Sequence, residues 1–271
     1  MNTGDAVQKV TTKTILGMKQ KGEKVAVLTA YDYLIAGYLD DAGIDIILVG
    51  DSLGNVFQGQ PTTLPVTVDE VIYHTKAVCR GVNRAMVVVD MPFLSYQVSV
   101  EEAVQNCGRV LKETDAGAVK LEGGREFADV VQRLIEVGIP VMGHLGLTPQ
   151  SIHKFGGYEV RGREAKEAQR ILADAKLLDE LGIFTLVLEK VPSQLAREVT
   201  KSVDAVTIGI GAGQDCDGQV LVVYDMLGMF EDFRPKFVRR YAEIGSTLGE
   251  AFKHYVRDVK EGKFPGKSES F

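Results

Sequence analysis

Short apolar runs alternate with longer segments of helical periodicity along most of the chain. The runs are rich in Val, Ile and Leu without polar alternation, which is typical of parallel strands covered on both faces. They are VAVLTA (25–30), DIILVG (45–50), AMVVVD (85–90), AVKLEG (118–123), VMGHL (141–145), TLVLEK (185–190), AVTIGIG (205–211) and VLVVYD (220–225). We therefore expect eight parallel strands.

The segments between these runs carry apolar residues at intervals of three and four, which predicts amphipathic helices. Helices are expected over 9–20, 99–114, 125–137, 164–181 and 236–261. Ser99 is the expected N-cap of the second helix, and Glu102, three residues later, is expected to complete a capping box. Gly138 and Gly182 stand where a helix commonly ends on glycine.

Eight strand–helix alternations predict an α/β fold, a (β/α)8 TIM barrel with an extra N-terminal helix. A doubly wound open sheet uses the same alternation, but no G-x-G-x-x-G follows the first strand. No linker or low-complexity stretch interrupts the pattern, so residues 1–271 are expected to form a single domain.

Composition narrows the function classes. The net charge is −6, and no basic run occurs, which argues against nucleic acid and anionic membranes as partners. No run reaches the roughly 18 apolar residues of a membrane span, and the N-terminus lacks a signal-peptide core. Cys79, Cys107 and Cys216 are scattered, without CxxC, so we expect reduced thiols in a cytoplasmic protein.

Charged side chains recur where the expected strands end. They are Asp51, Asp90, Lys120, Glu122, His144 and Glu189. In a barrel these positions share the C-terminal rim, where such enzymes hold their active sites. Lys120 and Glu122 are two residues apart, so their side chains point to one face of a strand. Burying several carboxylates together is costly unless a cation lies among them.

The chemistry of this set favours Mg²⁺ over Zn²⁺, because it offers oxygen ligands without paired His or Cys. Lys120 supplies a positive charge for an anionic group, and a carboxylate outside the metal shell is free to act as a base. The set predicts an enzyme that enolises a small keto acid. His144, which has no second His at ligand spacing, is interpreted as a packed or hydrogen-bonded side chain with at most a supporting role.

Longer motifs resemble one family. They are LVGDSLG, DMPF, VKLEGG, GHLGLTPQS with GGYEVRGR, LVLEKVP and IGIGAG followed by DGQVLV. In these, and from about Thr14 to the FPG near the C-terminus, the chain resembles ketopantoate hydroxymethyltransferase. The resemblance implies a barrel of the phosphoenolpyruvate/pyruvate type, Mg²⁺, 5,10-methylenetetrahydrofolate as one-carbon donor, 3-methyl-2-oxobutanoate as substrate, and a homodecamer built from five dimers.

The resemblance also assigns roles to residues. The metal carboxylates fall on Asp51, Asp90 and Glu122; the keto-acid contacts fall on Asp51, Ser52, Asp90 and Lys120; the proton acceptor falls on Glu189. The tail reads KSESF, with Glu269 where many relatives carry a histidine, which puts a tail contact in doubt and leaves the chemistry untouched.

Two alternatives remain open. A carbon–carbon lyase of the isocitrate-lyase or phosphonopyruvate type also stabilises an enolate on Mg²⁺, although such enzymes usually carry a cysteine-bearing catalytic loop and no Lys-x-Cys-Gly-like string occurs here. A barrel without activity, which only binds a small acid or scaffolds an oligomer, would be expected to lack Asp51, Lys120 or Glu189.

Overall fold

A computed structural model describes residues 8–230 and 234–271. Its parallel strands pair in sequence order and close into a barrel, β1 against β8. The strands are β1 Val25–Thr29, β2 Ile46–Val49, β3 Met86–Asp90, β4 Ala118–Glu122, β5 Val141–Gly146, β6 Thr185–Glu189, β7 Val206–Ile210 and β8 Gly218–Leu221. The predicted (β/α)8 barrel is confirmed.

Helices lie at the five predicted places, but the first begins at Thr12 instead of residue 9, and the last begins at Ile244 instead of residue 236. Within the described residues the α-helices are α1 Thr12–Lys21, α2 Tyr33–Asp41, α3 Leu53–Val56, α4 Val68–Arg80, α5 Val100–Glu113, α6 Ala128–Glu136, α7 Ile152–Phe155, α8 Ala165–Glu180, α9 Ser193–Ser202, α10 Val223–Met226 and α11 Ile244–Lys260. The helix expected over 125–137 begins as a short 3-10 turn, Arg125–Phe127, before α6. Gly138 and Gly182 both adopt positive φ after their helices, as expected.

The eighth strand lies earlier than predicted. The apolar run 220–225 suggested a strand, but β8 ends at Leu221 and the next residues form α10. Barrel closure sets the position, because Gly218 pairs with both Val25 and Ile208. A Cβ at Gly218 would lie 2.3 Å from the Val25 carbonyl oxygen, so only glycine fits this contact.

Helix α1 closes the amino-terminal end of the barrel interior. Ile15 is fully buried in one apolar cluster with Ile46 and other residues from the first positions of the strands. Lys19 Nζ donates to the Ala205 carbonyl oxygen at 2.8 Å and pairs with Asp217 at 2.9 Å. The carboxyl ends of the strands are left as the end where a ligand enters, as in other barrels of this type.

The chain divides into two compact units, Met1–Leu221 and Val222–Phe271. The first contains the barrel and the second contains α10 and α11. The single domain expected over residues 1–271 stays a prediction. None of the helices described here is long and apolar enough to cross a membrane. Cys79, Cys107 and Cys216 are free.

Asp40, at the end of α2, fixes the start of β3. Its buried carboxylate accepts hydrogen bonds from the backbone N–H groups of Asn83 at 2.8 Å, Arg84 at 3.1 Å and Ala85 at 2.7 Å. These donors precede the strand and have no ladder partner there, so the carboxylate takes the place of a strand neighbour. Asp40 is therefore a structural residue at the end of the barrel away from the candidate site.

We expect Asp40→Ala to lower the free energy of unfolding by about 3 kcal/mol, because it leaves backbone donors without a partner. The control is Asp41→Ala, since Asp41 is the next residue and is exposed; its effect should stay within about 0.5 kcal/mol. Urea denaturation followed by circular dichroism measures both values. Equal midpoints and slopes for the two variants would show that the carboxylate does not hold β3.

Candidate active site

The strand register brings the charged residues of neighbouring strands side by side. Asp90, the last residue of β3, is the partner of Lys120 on β4. Glu122, two residues further along β4, is the partner of His144 on β5. All four side chains are buried. Glu189 is the last residue of β6, so the predicted rim residues do assemble at the carboxyl ends of the strands.

Lys120 and Asp90 form a buried ion pair. Lys120 Nζ lies 2.6 Å from Asp90 Oδ2, and the two side chains are only 5% and 4% exposed. Burial by itself lowers the pKa of Lys120, but the carboxylates of Asp90, Glu122 and Asp51 outweigh it and raise that pKa above its usual range. The raised pKa favours the charged form of Lys120 inside the barrel mouth.

Asp51 adds a third buried carboxylate, contributed by the segment that follows β2. Burial raises the pKa of Asp51 well above its ordinary value, and the charges of Asp90 and Glu122 raise it further, against the opposing charge of Lys120. Burial likewise raises the pKa of Asp90, although Lys120 opposes it. The cluster thus holds more negative charge than its own cations neutralise, and a further cation would relieve it.

His144 lies between two carboxylates. Its Nδ1 is 3.4 Å from Glu122 Oε1 and its Nε2 is 3.4 Å from Glu189 Oε2. Burial lowers the pKa of His144 and Lys120 lowers it further, but the two carboxylates outweigh both and raise it to about 9. The ring of His144 therefore lies between Glu122 and Glu189, and the raised pKa favours its protonated form. The packed position agrees with the interpretation of His144 from sequence.

Ser52 presents its hydroxyl at the same rim. Ser52 Oγ and the Tyr31 hydroxyl oxygen are 2.8 Å apart and share a hydrogen bond. The turn before Ser52 is tight, since a Cβ on Gly50 would lie 2.7 Å from Ser52 Oγ. The Gly50–Asp51–Ser52 sequence thus places a carboxylate and a hydroxyl next to each other at the end of β2.

Gln150 is the main residue of the site that the sequence analysis missed. It lies in the 3-10 turn Pro149–Ser151 after β5 and is buried. Its Nε2 donates to Asp51 Oδ2 at 3.0 Å and to the Met91 carbonyl oxygen at 2.9 Å. Its backbone N–H donates to Glu122 Oε2 at 3.0 Å, and its Oε1 accepts from the Tyr96 hydroxyl at 3.0 Å.

One residue therefore joins two of the acidic residues and the loop after β3, through its side chain to Asp51 and Met91 and through its backbone N–H to Glu122. A glutamine in a polar loop carries no sequence signal of such a role. The side-chain amide of Gln150 points into the site because the 3-10 turn that carries it lies over the barrel mouth.

The donor atoms fit a hard divalent cation. Asp90 Oδ1 and Glu122 Oε1 are buried and have no hydrogen-bond partner. Carboxylate oxygens are the ligands that Mg²⁺ prefers. Across residues 8–230 and 234–271, no three acidic, His or Cys side chains already form a ready set of ligands. The hydrogen bonds of Asp90 to Lys120 and of Asp51 to Gln150 occupy part of the donor set.

The strand order and barrel closure place the chain among parallel (β/α)8 barrels. Phosphonopyruvate hydrolase, whose solved structure contains oxalate and Mg²⁺, superposes with a TM-score of 0.61 over 96% of this chain and 93% of that one, at 11% identity. 2,3-Dimethylmalate lyase, of the PEP mutase/isocitrate lyase superfamily, gives 0.59 over 97% and 92%, at 12% identity. At such identities the likeness shows the fold alone.

Sequence comparison is more specific. The family model of ketopantoate hydroxymethyltransferase matches residues 9–267, so the chain belongs to that family. The 3-methyl-2-oxobutanoate hydroxymethyltransferase of Chlorobaculum tepidum is 57% identical over 99% of both chains. The protein of that name from Syntrophus aciditrophicus is 56% identical over 100% of both. The chain is an enzyme, a transferase, and the lyase alternative is supported by fold alone.

We expect Gln150→Leu to lower the free energy of unfolding by about 2–3 kcal/mol, because it removes the Nε2 donor from the buried Met91 carbonyl oxygen and from Asp51 Oδ2. The matched control is Gln105→Leu on α5, where the side chain is exposed. Urea denaturation at neutral pH compares the two. If Gln150→Leu unfolds like Gln105→Leu, the amide does not hold the acidic residues in place.

Proposed function

We propose that this enzyme transfers a hydroxymethyl group from 5,10-methylenetetrahydrofolate to 3-methyl-2-oxobutanoate, forming ketopantoate through an enolate in pantothenate biosynthesis. The observation that carries the proposal is the barrel mouth, where buried carboxylates, one lysine and a separate, more exposed carboxylate meet. Family membership and the names of the relatives support the substrate and the product. An enolising reaction needs these three kinds of group.

Asp51, Asp90 and Glu122 would hold Mg²⁺, with water or substrate oxygens completing the coordination shell. When bound there, the ion would supply a Lewis acid for the keto oxygen of the substrate. Two unbonded buried oxygens, Asp90 Oδ1 and Glu122 Oε1, support this assignment. Magnesium is proposed here as the cofactor, and the folate as the co-substrate.

Lys120 and Ser52 would bind the substrate carboxylate. Lys120 is a buried cation that donates to Asp90 Oδ2. An ammonium has three donors, so among the described residues two remain for a ligand. Ser52 has its hydroxyl positioned by Tyr31. Asp51 and Asp90 are proposed to contact the keto acid as well.

Glu189 would accept the proton from C3 of the keto acid. Its side chain is 17% exposed, against 3% for Glu122, so it faces the open part of the mouth. His144 lies beside it and orients the carboxylate, which is the supporting role that we propose for the imidazole. Across the whole reaction, the enolate carbon bonds to the one-carbon unit, water supplies its hydroxyl group, and both bonds from that carbon to the folate nitrogens break. Tetrahydrofolate leaves, its two nitrogens having gained the proton taken from C3 and the second proton of the water.

Assembly and location are proposals as well. We propose a cytoplasmic homodecamer, a pentamer of dimers, with small-molecule partners only and neither nucleic acid nor membrane. Exposed aromatic side chains support association, since Tyr38 on α2 is 72% exposed and Tyr73 on the adjacent α4 is 73% exposed. Surfaces of this kind commonly mark contacts between subunits. Light scattering, set against 29.5 kDa for one chain, measures the assembly directly.

The proposed function predicts that ketopantoate forms only with the keto acid and the folate together, and that EDTA abolishes its formation. With the folate omitted, the enzyme should still exchange the C3 proton of the keto acid in D₂O, read by proton NMR. Glu189→Gln keeps the size of the side chain but cannot accept a proton, so exchange should fall by about 10²-fold or more.

The control for this variant is Glu198→Gln on α9, an exposed glutamate that should leave exchange at the wild-type rate. Keto-acid affinity should survive in Glu189→Gln, because the proposed anchors are other residues. Wild-type exchange in Glu189→Gln would identify another base, with His144 the first residue to test. A wild-type enzyme that makes no ketopantoate under any of these conditions would overturn the proposal.

The metal assignment gives a separate prediction. Asp90→Asn removes one of three anionic ligands, so Mg²⁺ affinity measured by calorimetry should fall by at least about tenfold. Asp129→Asn is the control, since Asp129 is exposed on α6. Urea denaturation separates loss of affinity from loss of fold, because the change also unpairs Lys120. Unchanged Mg²⁺ affinity in a folded Asp90→Asn variant would remove Asp90 from the ligand set.

A further inference from the structure

A cavity of about 610 Å³ opens at the barrel mouth between the segment 64–68, which precedes α4, and the segment 92–95, which follows β3. Its walls are largely apolar, and Glu102 and Asn106 of α5 also line it. Volumes between roughly 300 and 1,000 Å³ are typical of small-molecule sites. The mechanism proposed above uses none of these lining residues.

The cavity lies beside the two segments that follow β2 and β3, which carry or adjoin Asp51 and Asp90 of the acidic cluster. Pro92 is two residues beyond Asp90, a separation that the chain spans in at most about 7 Å. Val66, on the opposite wall, packs on the segment after Asp51, since a Cβ on Gly54 would lie 2.8 Å from Val66 Cγ2. A ligand in the cavity therefore lies next to the place proposed for the keto acid.

Glu102 is the charged group of the cavity, and it departs from its expected role. Ser99 Oγ accepts from the Glu102 backbone N–H at 3.1 Å, as the predicted cap requires. The carboxylate does not return a bond to Ser99, so the predicted capping box is only half formed. In the box that starts α4, by contrast, Glu70 Oε2 accepts from the Thr67 backbone N–H at 2.7 Å.

The side chain of Glu102 is half-buried, and within the described ranges its carboxylate has neither a hydrogen bond nor an ion pair. Helix capping leaves it free for a ligand. Because the rest of the wall is mostly apolar, a ligand that fits here buries flat apolar faces and offers N–H donors along one edge.

Asn106, one helical turn after Glu102, contributes a second acceptor on the same face of α5. Its Nδ2 donates to the Ser95 carbonyl oxygen at 2.7 Å, which leaves its side-chain oxygen available. Ser95 Oγ in turn donates to the Pro92 carbonyl oxygen at 2.6 Å. These bonds fix the loop that carries Phe93, whose ring forms part of the wall and is 40% exposed.

We propose that this cavity binds the reduced pterin ring of the folate co-substrate, with Glu102 accepting hydrogen bonds from its 2-amino group and the adjacent ring N–H. The inference rests on the proposed function and adds the site that recognises the one-carbon donor. A pterin is flat, and its two donors match a carboxylate in a bidentate pair. The nitrogen that carries the one-carbon unit is at the opposite side of the bicycle, which faces the keto acid.

The test compares Glu102→Gln with Glu101→Gln by calorimetric titration of tetrahydrofolate, which cannot react because it carries no one-carbon unit. Glu101 is the neighbouring, exposed glutamate and does not line the cavity. Loss of the bidentate pair should weaken tetrahydrofolate binding to Glu102→Gln by about tenfold to a hundredfold, and Glu101→Gln should bind like the wild type. Urea denaturation and keto-acid affinity report whether each variant keeps its fold.

A second arm uses the ligand instead of the protein. The 2-desamino analogue of tetrahydrofolate should bind the wild type as weakly as tetrahydrofolate binds Glu102→Gln, and the substitution should cost that analogue little more. Wild-type affinity of Glu102→Gln for tetrahydrofolate would overturn the inference and leave the proposed function standing. A wild-type enzyme that neither binds tetrahydrofolate nor forms ketopantoate would overturn both. If Glu102→Gln changed the molar mass of the assembly but not tetrahydrofolate affinity, the cavity would be a contact between copies of the chain, and the inference would be overturned.

Discussion

The buried ion pair between Lys120 and Asp90 is the interaction on which the rest of the site depends. Removing two charges from water is costly, and a pair repays the cost only when its geometry is short and its surroundings supply further charge. Here the distance is 2.6 Å, and Asp51 and Glu122 extend the same network. The register of β3 and β4 makes this ion pair possible, because it sets Asp90 and Lys120 opposite each other.

The buried carboxylates at the two ends of the barrel differ in their hydrogen bonds. At the amino end, Asp40 accepts from the backbone before β3, and Asp179 accepts from the Ala205 backbone N–H before β7 at 2.7 Å. At the carboxyl end, Asp90 Oδ1 and Glu122 Oε1 are buried without a hydrogen bond. A buried polar atom without a hydrogen bond lowers the stability of the folded chain. We therefore propose that a ligand supplies the partner of these two oxygens.

Local sequence could predict the strands and the charged rim because both depend on neighbouring residues. An apolar run that ends in a charged residue predicts a buried strand with that residue at the carboxyl end. The structure places Asp51, Asp90 and Glu189 at or just beyond the carboxyl ends of their strands. Gln150 could not be found in this way. Its amide is buried only because the turn after β5 folds over the mouth, and a polar loop residue has the same local signature in many roles. The residues that form the cavity lie on segments far apart in sequence.

Sequence by itself determined the barrel class, the family and the set of groups that meet at the rim, since strand periodicity and motif order are properties of the sequence alone. Tertiary structure decided three further matters. It ended β8 at Leu221, because closure against β1 outweighs the apolar character of the run 220–225. It raised the pKa of His144 to about 9, because two carboxylates flank a buried ring. It placed the Glu102 carboxylate on the wall of the cavity, without the hydrogen bond to the Ser99 backbone N–H that the local pattern predicted.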